Sequence, residues 1–257
     1  MPRSLNDLDR WVTAATWPRT TCPQCKTGTV GYATSQSQMD SVSKASLAAA
    51  HRNEGPFEEL SGTFTGTLIC DDTNCMRELA MAGDWGYHYD FDDYDGRGQP
   101  QLVDTYRLRY ANPALPLLAV PERTPQTVQD EIVGASNVLF VSPSAAGNRL
   151  RRATEELMNA QRVNKSRVDR KTGKRVPATL HARIEMFGLK QPDIAHTLLA
   201  VKWIGNEASH SQEMTVADVV LCARVLNAAL IALYDRSDAE LKQLVKLINR
   251  RKGLGRR

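Results

Sequence analysis

The chain lacks any run of about 18 consecutive apolar residues, the length that a membrane-spanning helix requires. Its first residues, M-P-R-S-L-N-D-L-D-R-W, include acidic side chains and no continuous apolar core, so they do not have the pattern of a secretion signal. Hydrophobic residues make up 42% of the 257 positions, an ordinary share for a globular protein. We therefore expect a protein without a membrane segment, located in the cytoplasm.

Cysteine is scarce, yet four of the five cysteines form two close pairs. The segment T-C-P-Q-C-K-T-G contains Cys22 and Cys25, and L-I-C-D-D-T-N-C-M-R contains Cys70 and Cys75. Such spacing lets a tight turn direct two thiolates at one metal ion, and four thiolates complete the tetrahedral site that zinc prefers. Disulfides are the alternative, which a reducing cytoplasm disfavours. We predict one structural Zn²⁺ with no open position for catalysis.

The segments around the cysteine pairs are rich in Thr, Val, Ile, Phe and Tyr and predict a small antiparallel sheet. These segments are Thr29–Ala33, Thr63–Ile69, Glu78–Ala82 and Leu102–Tyr110. Residues 34–50 have the composition of an insertion, with a short helix expected at Ser43–His51, and the acidic, aromatic residues 85–98 are expected to form a solvated loop. C-P-x-C-x-x-G is similar to the knuckle of zinc ribbons. We predict a zinc-ribbon-like β domain at residues 1–112.

A Pro-rich stretch at residues 113–125 cannot form a regular helix or a central strand and is expected to be a linker. Beyond it, apolar residues recur at helical spacing, and Pro125, Pro143 and Thr215 stand at expected helix starts. We predict a helical bundle at residues 126–250, including a last helix at Leu241–Ile248, and a basic tail at residues 251–257. The fold class is then α+β, with a small β-rich domain followed by an all-α domain.

Charge is distributed unevenly along the chain. Residues 1–110 contain 10 Lys and Arg against 15 Asp and Glu, whereas residues 111–257 contain 23 against 14. The most basic segment includes Lys165, Arg167, Arg170, Lys171, Lys174 and Arg175, with Asp169 as its one acidic residue. It is expected to be a mobile loop, which either contacts phosphates or is merely solvated.

A stripe of polar residues marks the segment V-K-W-I-G-N-E-A-S-H, residues 201–210. On a helix Lys202, Asn206 and His210 stand four residues apart, so a cation, an amide and an imidazole share one face. Such a stripe is typical of a functional site. The alternative is structural: Lys202 is solvated, and Asn206 and His210 cap the end of the helix. The spacing alone leaves both interpretations open.

Several motifs resemble, in the same order, the bacterial domain of unknown function 4145. They are the C-P-x-C knuckle, the Pro-rich linker, R-L-R-R-A-T-E-E-L at residues 149–157 and K-W-I-G-N-E-A-S-H at residues 202–210. The family occurs alone or attached to restriction-type defence proteins. Its helical part looks like the HEPN group (higher eukaryotes and prokaryotes nucleotide-binding), which includes metal-independent ribonucleases that act as dimers. The resemblance implies a defence role, a protein partner within a defence system and a homodimer formed through the helical domain.

The resemblance also implies a ribonuclease site at His210. Asn206 and His210 match the polar and His positions of the HEPN signature, whereas Gly205 stands where that signature has Arg. The departure at Gly205 argues against catalysis.

In such a site His210 would transfer a proton, because imidazole titrates near neutral pH. A cation from Lys202, Arg149 or Arg152 would stabilise the phosphate, and Glu155 could orient a basic residue. The leading hypothesis is a zinc-containing, defence-associated protein that binds RNA or DNA. The alternatives are a metal-independent ribonuclease and a non-catalytic module for protein interaction.

Overall fold

The computed structural model of the protein describes residues 5–52, 60–94, 100–169, 171–207, 214–235 and 250, and for residues 90–94, 100 and 205–207 it describes the backbone alone. Within this part of the chain the fold is α+β, as predicted: an antiparallel sheet occupies the N-terminal part, and the helices that follow it form the C-terminal part. The predicted helix at Leu241–Ile248, the tail at residues 251–257 and the side chain of His210 lie outside the described residues.

The sheet is an antiparallel meander in which each strand pairs with the next along the chain. Its strands are β1 (Thr20–Thr21), β2 (Thr29–Met39), β3 (Leu60–Cys70), β4 (Glu78–Tyr94) and β5 (Pro100–Asn112). Val30 pairs with Cys70, so the start of β2 lies beside the end of β3. The β1–β2 turn and the β3–β4 turn therefore lie at the same end of the sheet, and these two turns carry the cysteine pairs.

Alternation of polar and apolar residues explains why the sheet has one buried face. In β3, Phe64 and Leu68 are buried, whereas Thr63 and Thr65 are exposed, as the two-residue period of a strand requires. The ring of Phe64 packs edge-on against Trp17 and Tyr106. An aromatic cluster thus forms the centre of the core beneath the sheet.

The sheet is larger than the sequence pattern predicts. Residues 34–39 belong to β2 rather than to an insertion, although the helix that follows, α1 (Ser41–His51), agrees with the predicted helix and begins at the side-chain cap of Asp40. The prediction of a solvated loop at residues 85–98 was wrong for residues 85–94, because β4 continues to Tyr94. Pairing with β3 and β5 supplies backbone hydrogen bonds there, and this tertiary pairing overrides the acidic composition.

The C-terminal part contains helices at the predicted starts. They are α2 (Gln126–Val138), α3 (Pro143–Ala160), α4 (Leu180–Gly188), α5 (Pro192–Glu207) and α6 (Val216–Tyr234). The hydroxyl of Ser142 caps α3, and Thr215 with Asp218 forms a capping box at the start of α6. The apolar spacing in α3 predicts that Leu150, Leu157 and Ala160 face the core. Leu150 and Leu157 are fully buried, whereas Ala160 in the last turn is exposed.

The basic segment between α3 and α4 is not the loop expected from its composition. Strands β6 (Ser166–Val168) and β7 (Arg175–Pro177) pair antiparallel and form a small hairpin. Its turn is built by Asp169, whose carboxylate accepts hydrogen bonds from the backbone N–H groups of Lys171 and Thr172. These backbone hydrogen bonds lower the pKa of Asp169, with that to Thr172 the largest cause. The one acidic residue of the segment therefore has a structural role in the turn.

The two parts of the chain are in contact. A short 3-10 helix (Leu5–Asp9) packs against both β5 and α6, and its Leu5 and Leu8 are buried. Arg107 of β5 donates a hydrogen bond to Asp9 at 2.9 Å. The buried residues of sheet and helices join in one hydrophobic cluster. The division at residues 113–125 into two domains stays a prediction.

Helix α6 is, within the described residues, the one helix long and apolar enough to cross a membrane. It nevertheless contains Asp218 and Arg224, and the side chains that it buries, such as Val219, Leu226 and Leu230, pack in the core of the protein. A core helix of a soluble protein has the same length and composition. The cytoplasmic location stays a prediction.

Candidate metal centre and basic surface

The structure brings the four predicted metal ligands together. The sulfur atoms of Cys22 and Cys75 are 3.9 Å apart, those of Cys25 and Cys70 are 3.8 Å apart, and all four lie within 4.8 Å of one another. Among the described residues these cysteines are the one group of His, Cys, Asp and Glu side chains placed to share a metal ion. His51, at the end of α1, is not part of it.

The sulfur separations fit a metal ion and not a pair of disulfides. A tetrahedron with metal–sulfur bonds of about 2.3 Å has edges of about 3.8 Å. A disulfide would require sulfur atoms about 2.05 Å apart. The four thiols therefore form a cluster that can bind a metal ion as a complete set of ligands.

Two tight turns position these ligands. In the first turn the N–H of Cys22 donates to the carbonyl of Gly28, and the N–H of Gly28 donates to the sulfur of Cys25 at 3.3 Å. Lys26, just after Cys25, has a positive φ of 61°, which closes the turn. A backbone N–H directed at the sulfur is favourable for a thiolate ligand. The backbone of the first turn is thus arranged to support Cys25 as an anion.

The second turn has a similar backbone arrangement: the N–H of Cys70 donates to the carbonyl of Arg77, and Met76, just after Cys75, has a positive φ of 46°. Cys70 is the last residue of β3, and the N–H of Cys75 donates to the carbonyl of Asp72. The carboxylate of Asp72 accepts a hydrogen bond from the hydroxyl of Thr27 at 3.0 Å, which ties the second turn to the first. The two turns are therefore connected to each other by a hydrogen bond that does not involve the cysteines.

Gly28 is required by the close approach of the two turns. A Cβ atom at this position would lie 2.8 Å from the sulfur of Cys70 and 2.8 Å from the Cβ of Asp72. The second turn would have to move to accept any larger residue. The glycine in C-P-x-C-x-x-G thus has a steric role in bringing the cysteine pairs together.

The electrostatic environments of two of the thiols differ. Hydrogen bonds from Thr27, and then from the backbone of Gly28, lower the pKa of Cys25 to about 6. Burial raises the pKa of Cys70 to about 12, because a thiolate is poorly solvated there. A bound cation is the charge that would stabilise the thiolate of Cys70 inside the cluster.

The predicted nucleic-acid contacts lie on the β6–β7 hairpin, here called the basic hairpin and defined as residues 165–177. Its exposed cations are Lys165, Arg167, Lys171, Lys174 and Arg175. Arg170 lies outside the described residues. Beside the hairpin, an open cleft of about 540 Å³ is lined on one side by Arg167 and Lys171 and on the other by Glu185 and Met186 of α4. The hairpin therefore presents its positive charge at the edge of a cleft.

The two predicted arginine candidates of α3 are directed toward α2. Arg149 lies 3.0 Å from one carboxylate oxygen of Glu131, and Arg152 lies 2.9 Å from the other. Glu131 is only 8% exposed. Sequence reasoning missed it, although it stands three residues after Val128 and four before Ala135, within the apolar stripe of α2. This ion-pair network joins α2 to α3.

Glu155, also on α3, contacts a different arginine. Its carboxylate is 3.6 Å from Arg151, one turn earlier in the same helix. Sequence reasoning also missed Arg183, which is 7% exposed and donates to the side chain of Asn159 and the carbonyl of Val163. Burial lowers the pKa of Arg183, and the negative charge of Glu155 opposes that shift. Glu155 of α3 thus contributes negative electrostatic potential at Arg183 of α4.

The polar stripe of α5 is described only at its start. The ammonium of Lys202 lies 3.4 Å from the ring centroid of Trp203, a cation–π contact within the same helix. The side chains of Asn206 and His210 lie outside the described residues. The expected cluster of these two with Arg149, Arg152 or Glu155 is therefore untested and stays a prediction.

The ion pairs of Glu131 give a testable prediction about stability. We expect Glu131→Gln to lower the free energy of unfolding by about 1–3 kcal/mol, because the change leaves two arginines beside a neutral side chain at a buried position. Urea denaturation followed by circular dichroism measures this change. Glu185→Gln is the matched control: its side chain is 62% exposed, so we expect a change within about 0.5 kcal/mol. Equal effects of the two substitutions would contradict the role given to Glu131.

Two family models match the chain. Residues 134–251 match the family described as a domain of unknown function (DUF4145), and residues 11–111 match one described as a domain of unknown function (DUF8608). The first match confirms the resemblance for the helical part, and the second covers the sheet with both cysteine turns. No curated protein and no solved structure was found to match. The defence role, the likeness to the HEPN group, the defence partner and the homodimer stay predictions.

Proposed function

We propose that this protein binds nucleic acid through its basic helical part, and that a structural zinc ion stabilises the end of its sheet. The observation that carries the first proposal is the basic hairpin, where five exposed cations stand on two short paired strands, the turn between them and the residue before β6. The observation that supports the second is the separation of the four cysteine sulfurs.

Zinc is the metal that suits this set of ligands. Four thiolates in a tetrahedral arrangement are typical of structural zinc sites, which hold short turns together and leave no position for a substrate. The cysteines come from two turns at one end of the sheet, so one ion would join the β1–β2 turn to the β3–β4 turn. The chemistry that zinc supplies here is stabilisation of the fold, which is separate from the binding surface.

Nucleic acid is the partner that suits the basic hairpin. Phosphate backbones carry closely spaced negative charges, and exposed Lys and Arg side chains bind them by releasing condensed counterions. The hairpin holds its cations on a defined backbone, because the Asp169 turn and the β6–β7 pairing fix it. Residues 111–257 carry an excess of positive charge, which favours the approach of a polyanion to this part of the chain.

A binding titration tests this function directly. Fluorescently labelled single-stranded RNA, single-stranded DNA and duplex DNA of one length are titrated with the purified protein, and anisotropy is recorded from about 50 to about 200 mM salt. We expect the protein to bind, and we expect the logarithm of the association constant to fall linearly with the logarithm of the salt concentration. Labelled polyglutamate of similar charge is the control ligand. No binding of any oligonucleotide, or equal affinity for polyglutamate, would overturn the proposal.

A further inference from the structure

Trp203 is the most exposed tryptophan among the described residues. It is 56% exposed on α5, although an indole is among the side chains that gain most from burial. Lys202 lies over its ring at 3.4 Å, and the ring of His181 on α4 lies 6.0 Å away, tilted by 56°. The indole is thus held in place on the surface by a cation and a neighbouring ring.

A chain of contacts connects Trp203 to the cleft beside the basic hairpin. The imidazole of His181 lies 6.0 Å from the Trp203 ring and, through Nε2, 3.5 Å from the carboxylate of Glu185. Glu185 in turn lines the cleft together with Arg167 and Lys171 of the hairpin. One continuous surface therefore carries hairpin cations at one side and an exposed indole with an adjacent ammonium at the other.

The carboxylates on this surface do not cancel its attraction for an anion. Asp169 already accepts three hydrogen bonds at its Oδ1 atom, from the N–H groups of Lys171 and Thr172 and from the Thr172 hydroxyl. Glu185 lies against His181. The cations at the hairpin outnumber these two acids, so the net charge of the surface is positive.

Aromatic rings beside a positively charged groove are typical of sites for single-stranded nucleic acid. Bases of a duplex are already stacked inside the helix and cannot reach a side-chain ring on a protein surface, whereas an unpaired base has a free face. The cleft of about 540 Å³ lies within the range of about 300–1,000 Å³ that ligand sites occupy. An unpaired nucleotide therefore matches this surface in charge, and its free base face matches the exposed indole.

We propose that the surface formed by the basic hairpin, the adjoining cleft and Trp203 binds single-stranded nucleic acid, with an unpaired base stacked on the Trp203 indole and the backbone phosphates held by the hairpin and Lys202. This inference rests on the proposed function, since it names the form of nucleic acid that the same basic surface binds. It gives Trp203 a role that is separate from the charge of the hairpin.

The test compares ligands that differ only in their bases. A single-stranded 12-mer, an abasic strand with the same number of phosphates and the blunt duplex of the same sequence are titrated with the wild-type protein, with Trp203→Ala and with Trp203→Phe. We expect the wild type to prefer the normal strand to the abasic strand, and Trp203→Ala to reduce its affinity for the normal strand by roughly 5- to 150-fold. Trp203→Phe should retain most of the affinity because a phenyl ring also stacks.

A matched control variant separates stacking from damage to the fold. Trp11→Ala removes another partly exposed tryptophan, 43% exposed and also packed on an imidazole, from the N-terminal part of the chain. We expect it to leave the affinity for the strand unchanged, and the thermal midpoint of Trp203→Ala to stay near that of the wild type. The salt dependence of Trp203→Ala should also match that of the wild type, because no cation is removed.

The outcomes separate this inference from the function on which it rests. If no oligonucleotide binds, the proposed function itself fails. If all three ligands bind equally to the wild type and Trp203→Ala binds as tightly as the wild type, nucleic-acid binding stands and the stacking site is refuted. A preference for the duplex over the single strand would also refute the site.

Discussion

A variant in which the five described cations of the basic hairpin are replaced by glutamine should lose most of its affinity for nucleic acid. The substitutions are Lys165→Gln, Arg167→Gln, Lys171→Gln, Lys174→Gln and Arg175→Gln. For a single strand the slope of log affinity against log salt changes by about 0.7 for each phosphate contact. Loss of five contacts would reduce the slope by about 3.5, so a fourfold rise in salt would weaken the wild type by about 100-fold more than the variant.

Anisotropy titrations across that range of salt measure both slopes. The matched control replaces five exposed cations outside the hairpin by glutamine, so that the two variants have equal net charge. These cations are Arg10, Lys44, Arg52, Arg77 and Arg123. We expect this control to bind with nearly the wild-type slope, since diffuse attraction alone does not release counterions at a contact. If both variants lose affinity and slope equally, net charge rather than the hairpin governs binding, and the assignment of the hairpin is wrong.

Replacing Cys70 by serine should remove the metal and prevent cooperative folding of the sheet. Cys70 is 1% exposed at the end of β3, and its sulfur lies 3.8 Å from that of Cys25. Zinc binding contributes about 10–16 kcal/mol in small zinc-binding peptides, which matches or exceeds the 5–15 kcal/mol that stabilises a typical domain. We expect zinc content to fall from one ion per chain to none, and the melting transition of the sheet to broaden and shift to low temperature.

Cys222 supplies the matched control for this substitution. It is also fully buried and its thiol also has a pKa raised by burial to about 12, but it lies on α6 with its sulfur 3.9 Å from the carbonyl of Val201. We expect Cys222→Ala to retain one zinc ion and to cost no more than a few kcal/mol through the small cavity it leaves. Elemental analysis measures the zinc content of both variants, and calorimetry measures their melting transitions. A Cys70→Ser protein with full zinc content and an unchanged melting transition would contradict a structural role for the metal.

The two cysteine turns could be predicted from the sequence because their signal is local. Cys22 and Cys25 lie in one turn and Cys70 and Cys75 in another, and each turn by itself directs two sulfurs to one side. The helices α2, α3 and α6 could be predicted for the same reason, since a period of 3.6 residues and a cap such as Thr215 are properties of adjacent residues. In each case the sequence signal lies in adjacent residues, although bringing the two cysteine turns together also requires the pairing of β2 with β3.

The length of the sheet and the buried charges depend on partners that are distant in sequence. Residues 85–94 form a strand because β3 and β5 pair with β4, although acidic residues such as Asp90 argue for a loop. Glu131 lies in a buried position because Arg149 and Arg152 approach from the next helix. A polar residue within an apolar stripe was the available signal for both Glu131 and Arg183, and it points to a buried ion pair or hydrogen-bond network.

Hydrogen–deuterium exchange on the wild-type protein, with and without a saturating single-stranded oligonucleotide, locates the surface that binds the strand. If the strand binds the basic hairpin, amide exchange should slow in peptides that cover residues 165–177. Peptides from the exposed face of the sheet, around Thr63 and Thr65, should exchange at the same rate in both samples. Saturated binding with unchanged exchange across the hairpin, or with protection confined to the sheet, would show that the hairpin is not the binding surface.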